Sequence, residues 1–173
     1  MNTVKNTSIF FIDGGLLNNH KKIKASKVAY SSIREYVSAH DMITTDTIIT
    51  MIRESAVPDS ITINEHMFLK QWESRKTLQT TFNVEMFTII QVLHIILNNK
   101  MLETNKKIVI AFDNKSVYNI LNGIMPSKKV AYNIYVREAL RLLRVLKSKC
   151  KDLDKKVLLK HIPRQDIKIV LGH

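Results

Sequence analysis

The strongest structural signal in this sequence is an apolar segment that ends on a carboxylate, Ser8-Ile9-Phe10-Phe11-Ile12-Asp13-Gly14-Gly15. A continuous apolar run followed by a turn signal is typical of a central strand that is covered on both faces. An aspartate that closes such a strand is held at the rim of the sheet. The segment therefore predicts a buried central strand, with Asp13 at the sheet edge and a turn at the two glycines.

Two further acids stand in comparable positions. A second apolar strand over 107–112 also ends on an aspartate, Asp113. Glu85 lies in the predicted first turn of a long apolar helix that begins at the N-cap candidate Asn83 and ends at Asn98-Asn99. Three separate elements thus each offer one carboxylate near an apolar core, and we expect the three to meet.

The other segments give a coarse order of elements. A polar turn over 16–22 followed by a strand over 23–33 predicts an antiparallel hairpin with the first strand. Residues 44–52 fit either a helix or a strand, and 61–63 fit a short strand. The remaining predictions are a short helix over 116–122 closed by Gly123, a helix over 128–151, a strand over 156–162 that stops at Pro163, and a polar-to-apolar tail over 164–173.

The charge of the chain predicts a polyanionic partner. Its 27 basic residues exceed its 15 acidic ones, which gives a net charge of +12, and nucleic acid is the first candidate for so basic a domain. The alternative is a surface whose charge only keeps the protein soluble. The predicted helix over 128–151 carries basic residues at steps of three and four, which form either a solvated face or a row of phosphate contacts: Arg137, Arg141, Arg144 and Lys147.

Length and cysteine content favour one domain in a reducing compartment. A chain of 173 residues can bury one ordinary core, and its only cysteine, Cys150, allows neither an internal disulfide nor a cysteine-based zinc site. The N-terminus carries no export signal pattern, and no apolar run reaches the length of a membrane span, about 18 residues. We expect a soluble cytoplasmic protein, without membrane contact and monomeric.

Carboxylates gathered at strand ends in a basic protein suit magnesium. Mg²⁺ prefers oxygen ligands and binds through a few carboxylates together with substrate phosphate. Two such ions can act on the attacking and leaving oxygens of a phosphoryl displacement. Each acid also has an ordinary alternative role: Asp13 in a turn, Glu85 at a helix dipole and Asp113 as an N-cap.

Taken in order, these motifs resemble the type 1 ribonuclease H family. The matching features are Asp13-Gly14 after the first strand, Glu85 opening a helix, Asp113 ending a later strand, and the run His161-Ile162-Pro163-Arg164. The resemblance implies a ribonuclease H-like α/β fold, in which a mixed five-stranded sheet has its first three strands antiparallel and its last two parallel, flanked by helices. It implies that Asp13, Glu85 and Asp113 hold two Mg²⁺ ions, with Mn²⁺ as a substitute, and that the substrate is the RNA strand of an RNA–DNA hybrid.

The chain departs from the family pattern at two places. The interval between Asp13 and Glu85 is long, so we expect a single domain over 1–173 with an expanded or inserted region at about 34–82. The family's fourth acid, which normally lies in a helix after the Pro-Arg stretch, has no clear match here. Asp166 comes too early for it, and His173, at the last position, is a candidate ligand in its place. We also expect the last helix to be short or absent.

Several alternatives follow from these departures. The domain could be a degenerate module that binds nucleic acid without cutting it, or another nuclease of the superfamily such as a junction resolvase.

Three asparagines next to the acids, Asn18, Asn83 and Asn114, are candidates for sensing 2′-hydroxyls, with turn and cap roles as the alternative. His161 is read as a strand residue beside the sheet rather than as a catalytic group.

Overall fold

The computed structural model describes residues 5–18, 27–39, 44–54, 61–67 and 80–172. Its strands are β1 (Asn6–Asn18), β2 (Lys27–Ser38), β3 (Thr62–Met67), β4 (Asn105–Phe112) and β5 (Val157–His161). They form one five-stranded sheet in the order β3-β2-β1-β4-β5. β1 pairs antiparallel with β2 and β2 with β3, whereas β4 runs parallel to both β1 and β5. The predicted mixed α/β sheet is confirmed.

Helices cover both faces of this sheet. Their bounds are α1 (Thr45–Arg53), α2 (Thr81–Asn98), α3 (Met101–Thr104), α4 (Lys115–Leu121), α5 (Lys128–Ala131), α6 (Ile134–Lys149), α7 (Leu153–Lys156) and α8 (Arg164–Leu171). Side chains alternate across β1, because successive residues of a strand point to opposite faces. Phe10 and Ile12 pack against residues of α2 and α6, while Ile9 and Phe11 pack against residues of α1 and α8.

The long helix α2 is the core helix of the first face. Val84, Met86, Val92, Leu93 and Ile96 are buried in it. By length and composition alone α2, with 18 residues, could cross a membrane, contrary to the expectation that no apolar segment reaches that length. Here one side of the helix packs on β1 and β2 and another on α6, so its apolar surface is explained by its place in the core.

The first strand is longer than the sequence indicates. The predicted turn at Gly14-Gly15 is wrong, because β1 continues through both glycines to Asn18 and pairs with β2 along this extension. The antiparallel hairpin itself is confirmed: the described part of its second strand spans 27–38, and residues 23–26 of the predicted strand lie outside the described residues. Most of the predicted turn over 16–22 lies outside the described residues.

The helix predicted over 128–151 is interrupted. The helical pattern stops at Tyr132, and Asn133 caps a new helix by accepting hydrogen bonds from the backbone N–H groups of Tyr135 and Val136. The interruption changes which residues face the core. Val136, Ala139, Leu142 and Leu146 are buried, whereas Ile134, the first residue of the new helix, is 57% exposed.

The other predicted segments agree with the structure within a few residues. Residues 44–52 form the helix α1, and the strand predicted at 61–63 is β3. The last segment, predicted as a tail with a short or absent helix, ends in the short helix α8. The single domain over 1–173 with an expanded region at 34–82 stays a prediction; in the described part of that region, α1 separates β2 from β3.

Candidate active site

Asp13 lies where β1 extends beyond its pairing with the parallel strand β4. Pairing between β1 and β4 ends at Phe11 and Ala111, whereas pairing between β1 and β2 continues through Asp13, which stands opposite Ser32. Asp13 is therefore inside a strand but beyond the carboxyl end of the neighbouring strand. This places its half-buried carboxylate at the rim of the parallel part of the sheet, as the sequence predicted, although the turn expected there is absent.

Glu85 is brought to the same rim by the start of α2. The N-cap is Thr80, whose hydroxyl accepts a hydrogen bond from the Asn83 N–H at 3.2 Å. The predictions that Asn83 caps the helix and that Glu85 lies in its first turn are wrong, because the helix begins at Thr81 and Glu85 falls in its second turn. Capping needs a side chain that precedes the helix, and Asn83 is already inside it.

Close contacts hold this end of α2 against β1 and β2. The hydroxyls of Ser31 and Thr88 hydrogen-bond at 2.8 Å, and the Thr88 hydroxyl also donates to the Val84 carbonyl. A Cβ on Gly14 would lie 2.6 Å from Thr88 Oγ1 and 2.9 Å from the Val84 carbonyl oxygen. Gly14 is thus the residue that lets the helix approach the strand beside Asp13.

Asp113 follows β4 directly, as predicted. The next residue, Asn114, is the N-cap of α4 and accepts a hydrogen bond from the Val117 N–H at 3.0 Å. The other end of the Asn114 amide donates to Glu85 Oε2. The Asp113 carbonyl hydrogen-bonds the ring of His161 at 2.8 Å, so the last residue of β5 supports the segment that carries Asp113.

The three acids form one cluster. One carboxylate oxygen from each of Asp13, Glu85 and Asp113 lies within 4.8 Å of the others, and all three residues are half-buried. Burial raises the pKa of Glu85 to about 7, and the charges of Asp113 and Asp13 add to this effect; the hydrogen bond from Asn114 and the charge of Arg164 act in the opposite direction. Carboxylates crowded in this way favour the binding of a divalent cation, because the cation offsets their mutual repulsion and is coordinated by their oxygens.

The raised pKa of Glu85 predicts a pH-dependent stability in metal-free protein. The folded chain keeps the Glu85 proton up to about pH 7, whereas the unfolded chain loses it near 4.5, so the free energy of unfolding should fall as the pH rises through this range and then level off. Because Glu85 is only partly buried, we expect a loss of about 1–2 kcal/mol. Urea unfolding between pH 4.5 and 8 measures it.

Glu85→Gln should remove this decline, while Glu103→Gln, at an exposed acid of α3, should keep it. An identical pH dependence in Glu85→Gln and the wild-type protein would contradict the assignment.

Tyr30 and Arg164 are site residues that sequence reasoning did not assign. The Tyr30 hydroxyl donates a hydrogen bond to Asp13 Oδ2 at 3.2 Å. Burial, followed by the neighbouring Asp13, raises the pKa of Tyr30 to about 12, so the hydroxyl keeps its proton at neutral pH. The charge of Arg164 opposes the pKa increases of Tyr30 and Glu85, which places a cation near the cluster. Arg164 stood in the quoted His-Ile-Pro-Arg run, whereas Tyr30 could be found only from the β1–β2 register.

Within the described residues, no fourth acid joins the cluster. Asp166 is fully buried, and the Arg53 guanidinium donates to its two oxygens at 3.0 and 3.2 Å. Asp166 therefore fastens α8 to α1, on the opposite face of the sheet from α2. The other candidate for the fourth position, His173, lies outside the described residues.

Arg53→Met leaves the buried Asp166 carboxylate without its partner, but water screens part of the loss because the Arg53 side chain is 53% exposed. We therefore expect the thermal midpoint to fall by only about 3–6 °C. Arg141→Met breaks an exposed pair with Glu138 and should leave the midpoint almost unchanged. Scanning calorimetry of both variants checks this. Equal midpoints in the two variants would mean that the Arg53–Asp166 pair does not stabilise the fold.

The residues predicted to contact nucleic acid differ in whether their side chains bond within the protein or are exposed. Asn83 accepts a hydrogen bond from Asn133 at 2.7 Å and thereby joins α2 to α6. Both ends of the Asn114 amide are engaged within the protein, as described above, which favours a positioning role for it. Asn18 ends β1, and the prediction for its side chain lies outside the described residues. The basic residues of α6 are exposed: Arg137, Arg141, Arg144 and Lys147.

Comparison with solved structures supports the fold. The N-terminal RNase H domain of a Mycobacterium tuberculosis protein, solved as a fusion with maltose-binding protein, aligns with a TM-score of 0.50 and 12% identity over 94% of this chain and 92% of that one. An RNase H1 isolated from compost by a metagenomic approach aligns with a TM-score of 0.50 and 12% identity over 95% of this chain and 89% of that one.

No protein-family model and no curated protein sequence matches the chain. The two solved structures and the order of the strands nevertheless show a ribonuclease H-like fold, as the sequence motifs indicated, and the three acids occupy one rim of its sheet. At this identity the likeness establishes the fold alone.

Proposed function

We propose that the protein is a metal-dependent endonuclease that hydrolyses the RNA strand of RNA–DNA hybrids. The observation that carries this proposal is the convergence of Asp13, Glu85 and Asp113 from β1, α2 and the end of β4, with oxygens within 4.8 Å of one another, in a ribonuclease H-like fold. Three neighbouring carboxylates repel one another and so destabilise the fold when no ligand is bound. Such a cluster is therefore typical of a site that binds a cation.

The residues fit a pair of magnesium ions, with manganese as a substitute. All three donors are carboxylates, the oxygen ligands that these hard cations prefer. When bound, such ions lower the pKa of a coordinated water and stabilise the charge that develops on the phosphate. Asp13, Glu85 and Asp113 would hold them, while Asn114 orients the Glu85 carboxylate.

The charge of the chain supports a nucleic-acid substrate. The net charge is +12, and Arg137, Arg144 and Lys147 of α6 are exposed. Arg141, the fourth basic residue of this helix face, forms an ion pair with Glu138. We propose that the basic face of α6 contacts phosphates, so that binding of nucleic acid should weaken steeply as the salt concentration rises.

A second candidate function is binding without cleavage. It is favoured by the pairing of Asp166 with Arg53, which leaves three acids in the described part of the site. A third reading keeps the nuclease activity but changes the substrate, for example to a four-way DNA junction. We further propose that the protein acts as a monomer in the cytoplasm.

A substrate panel with and without Mg²⁺ or Mn²⁺ separates these functions. Labelled RNA–DNA hybrid is compared with single-stranded RNA, duplex RNA, duplex DNA and a four-way junction. We expect metal-dependent cutting of the RNA strand of the hybrid. Tight, salt-sensitive binding without cutting under either metal would support the binding module instead, and cutting confined to the junction would support a resolvase.

A further inference from the structure

We propose that Tyr30 is a positioning residue of the metal site, whose hydroxyl holds the Asp13 carboxylate in the orientation that metal binding needs. The inference rests on the proposed function, because it assigns Tyr30 a part in the same site. Tyr30 belongs to β2, a strand that carries none of the three acids.

The first observation is the contact itself. The Tyr30 hydroxyl donates to Asp13 Oδ2 at 3.2 Å. Tyr30 stands opposite Gly15 in the β1–β2 ladder, and Asp13 stands opposite Ser32. Tyr30 therefore reaches Asp13 diagonally across the hairpin, a distance that a long aromatic side chain can span.

The second observation is that β1 makes room for this ring. A Cβ on Gly15 would lie 2.7 Å from Tyr30 Oη and 2.9 Å from both Cε1 and Cζ. Any side chain at residue 15 would push the ring, and with it the hydroxyl, away from its present position. The absence of a side chain next to Asp13 is thus needed for the Tyr30 contact.

Fixing a carboxylate matters to a metal site because the group rotates freely about its last bond. A partner that holds one oxygen restricts that rotation before the metal arrives, so less freedom is lost on binding. Hydrogen-bond partners of metal-ligating groups typically change metal affinity or activity by about 10–100-fold when they are removed. Tyr30→Phe keeps the ring and removes only the hydroxyl, so it isolates this effect.

The test is a Mn²⁺ titration followed by electron paramagnetic resonance. The samples are the wild-type protein, Tyr30→Phe, Asp13→Asn and the control Tyr132→Phe, which alters a tyrosine that is 73% exposed. We expect Tyr30→Phe to weaken Mn²⁺ binding about tenfold or more, with Tyr132→Phe unchanged. In cleavage assays at fixed subsaturating metal, Tyr30→Phe should lower kcat while the KM for hybrid stays the same.

Gly15→Ala is the second variant, because it displaces the same hydroxyl by a different route. If both substitutions act on one contact, their effects on Mn²⁺ affinity should not add in the double variant. A purely structural role would change the thermal midpoint without this coupling.

The outcomes separate this inference from the proposed function. Wild-type protein that binds no Mn²⁺ would overturn the proposed function, and the role of Tyr30 with it. Wild-type binding that is lost in Asp13→Asn but unchanged in Tyr30→Phe and Gly15→Ala would leave the proposed function standing and overturn the role of Tyr30.

Discussion

Asp13→Asn is expected to lower metal-dependent cleavage of the hybrid by about a thousandfold or more. Asp13 belongs to the cluster in which one oxygen from each acid lies within 4.8 Å of the others, and an amide supplies no negative charge to a bound cation. Metal ions contribute several kcal/mol of charge stabilisation in the transition state, and each 1.36 kcal/mol corresponds to about tenfold in rate. Single-turnover cleavage of labelled hybrid at saturating Mg²⁺ measures the loss.

The matched control is Asp154→Asn, which changes the same residue type at an exposed position of α7. Its cleavage rate should equal that of the wild-type protein. Asp13→Asn should stay folded, because the substitution removes one of several crowded like charges. Cleavage by Asp13→Asn within a few fold of the wild-type rate would refute the role of the cluster.

Gly14→Ala is expected to damage both stability and activity. The added Cβ would meet Thr88 Oγ1 at 2.6 Å and the Val84 carbonyl oxygen at 2.9 Å, and the second of these is backbone that cannot turn away. We expect a loss of about 1–3 kcal/mol in the free energy of unfolding. Since Glu85 directly follows Val84 in α2, moving the helix away from β1 also moves Glu85 from Asp13, and a displacement of about 1 Å can cost about a hundredfold in rate.

Gly123→Ala separates the two effects. Gly123 has φ of +91° with open space around it, so alanine there should cost roughly 1 kcal/mol of stability through its backbone conformation alone. Urea unfolding and cleavage are measured on both variants. Gly14→Ala protein that is folded and fully active would mean that the close approach of α2 does not set the site geometry.

The parts of the site that could be predicted from the sequence depend on local patterns. The apolar runs before Asp13 and Asp113 are strong strand signals, and the helical repeat after Glu85 identifies α2. Asp13 and Asp113 lie just beyond the parallel pairing of β1 with β4, and Glu85 lies near the start of the packed helix, so the chain direction alone brings the three acids to one edge of the sheet. The convergence of these three residues therefore needed no knowledge of side-chain packing.

The parts that could not be predicted depend on contacts between distant segments. Asp13-Gly14-Gly15 reads as a turn, yet the glycines serve the close approach of α2 and of Tyr30 to β1. Thr80 and Asn83 are both good N-cap residues, and the packing of α2 decides between them. The role of Tyr30 follows from a strand register that no local pattern specifies, since a shift of one residue would turn its side chain to the other face.

The position of Asp166 likewise depends on contacts between distant segments. Its place in the sequence, shortly after Pro163, makes it a nearby acid for the metal site. Residue 166 instead faces α1, where Arg53 neutralises it. Which face of a short helix meets the sheet is set by its neighbours, and α1 belongs to a region whose secondary structure the sequence left open.

The metal centre is tested by Mn²⁺ binding to the wild-type protein and to Asp13→Asn, with Glu103→Gln as the control, measured by electron paramagnetic resonance at pH 7.5 without nucleic acid. We expect saturable binding by the wild-type and Glu103→Gln proteins, and its loss in Asp13→Asn. Equal binding by all three proteins, or none by the wild-type protein, would contradict the assignment of Asp13, Glu85 and Asp113 as a metal centre.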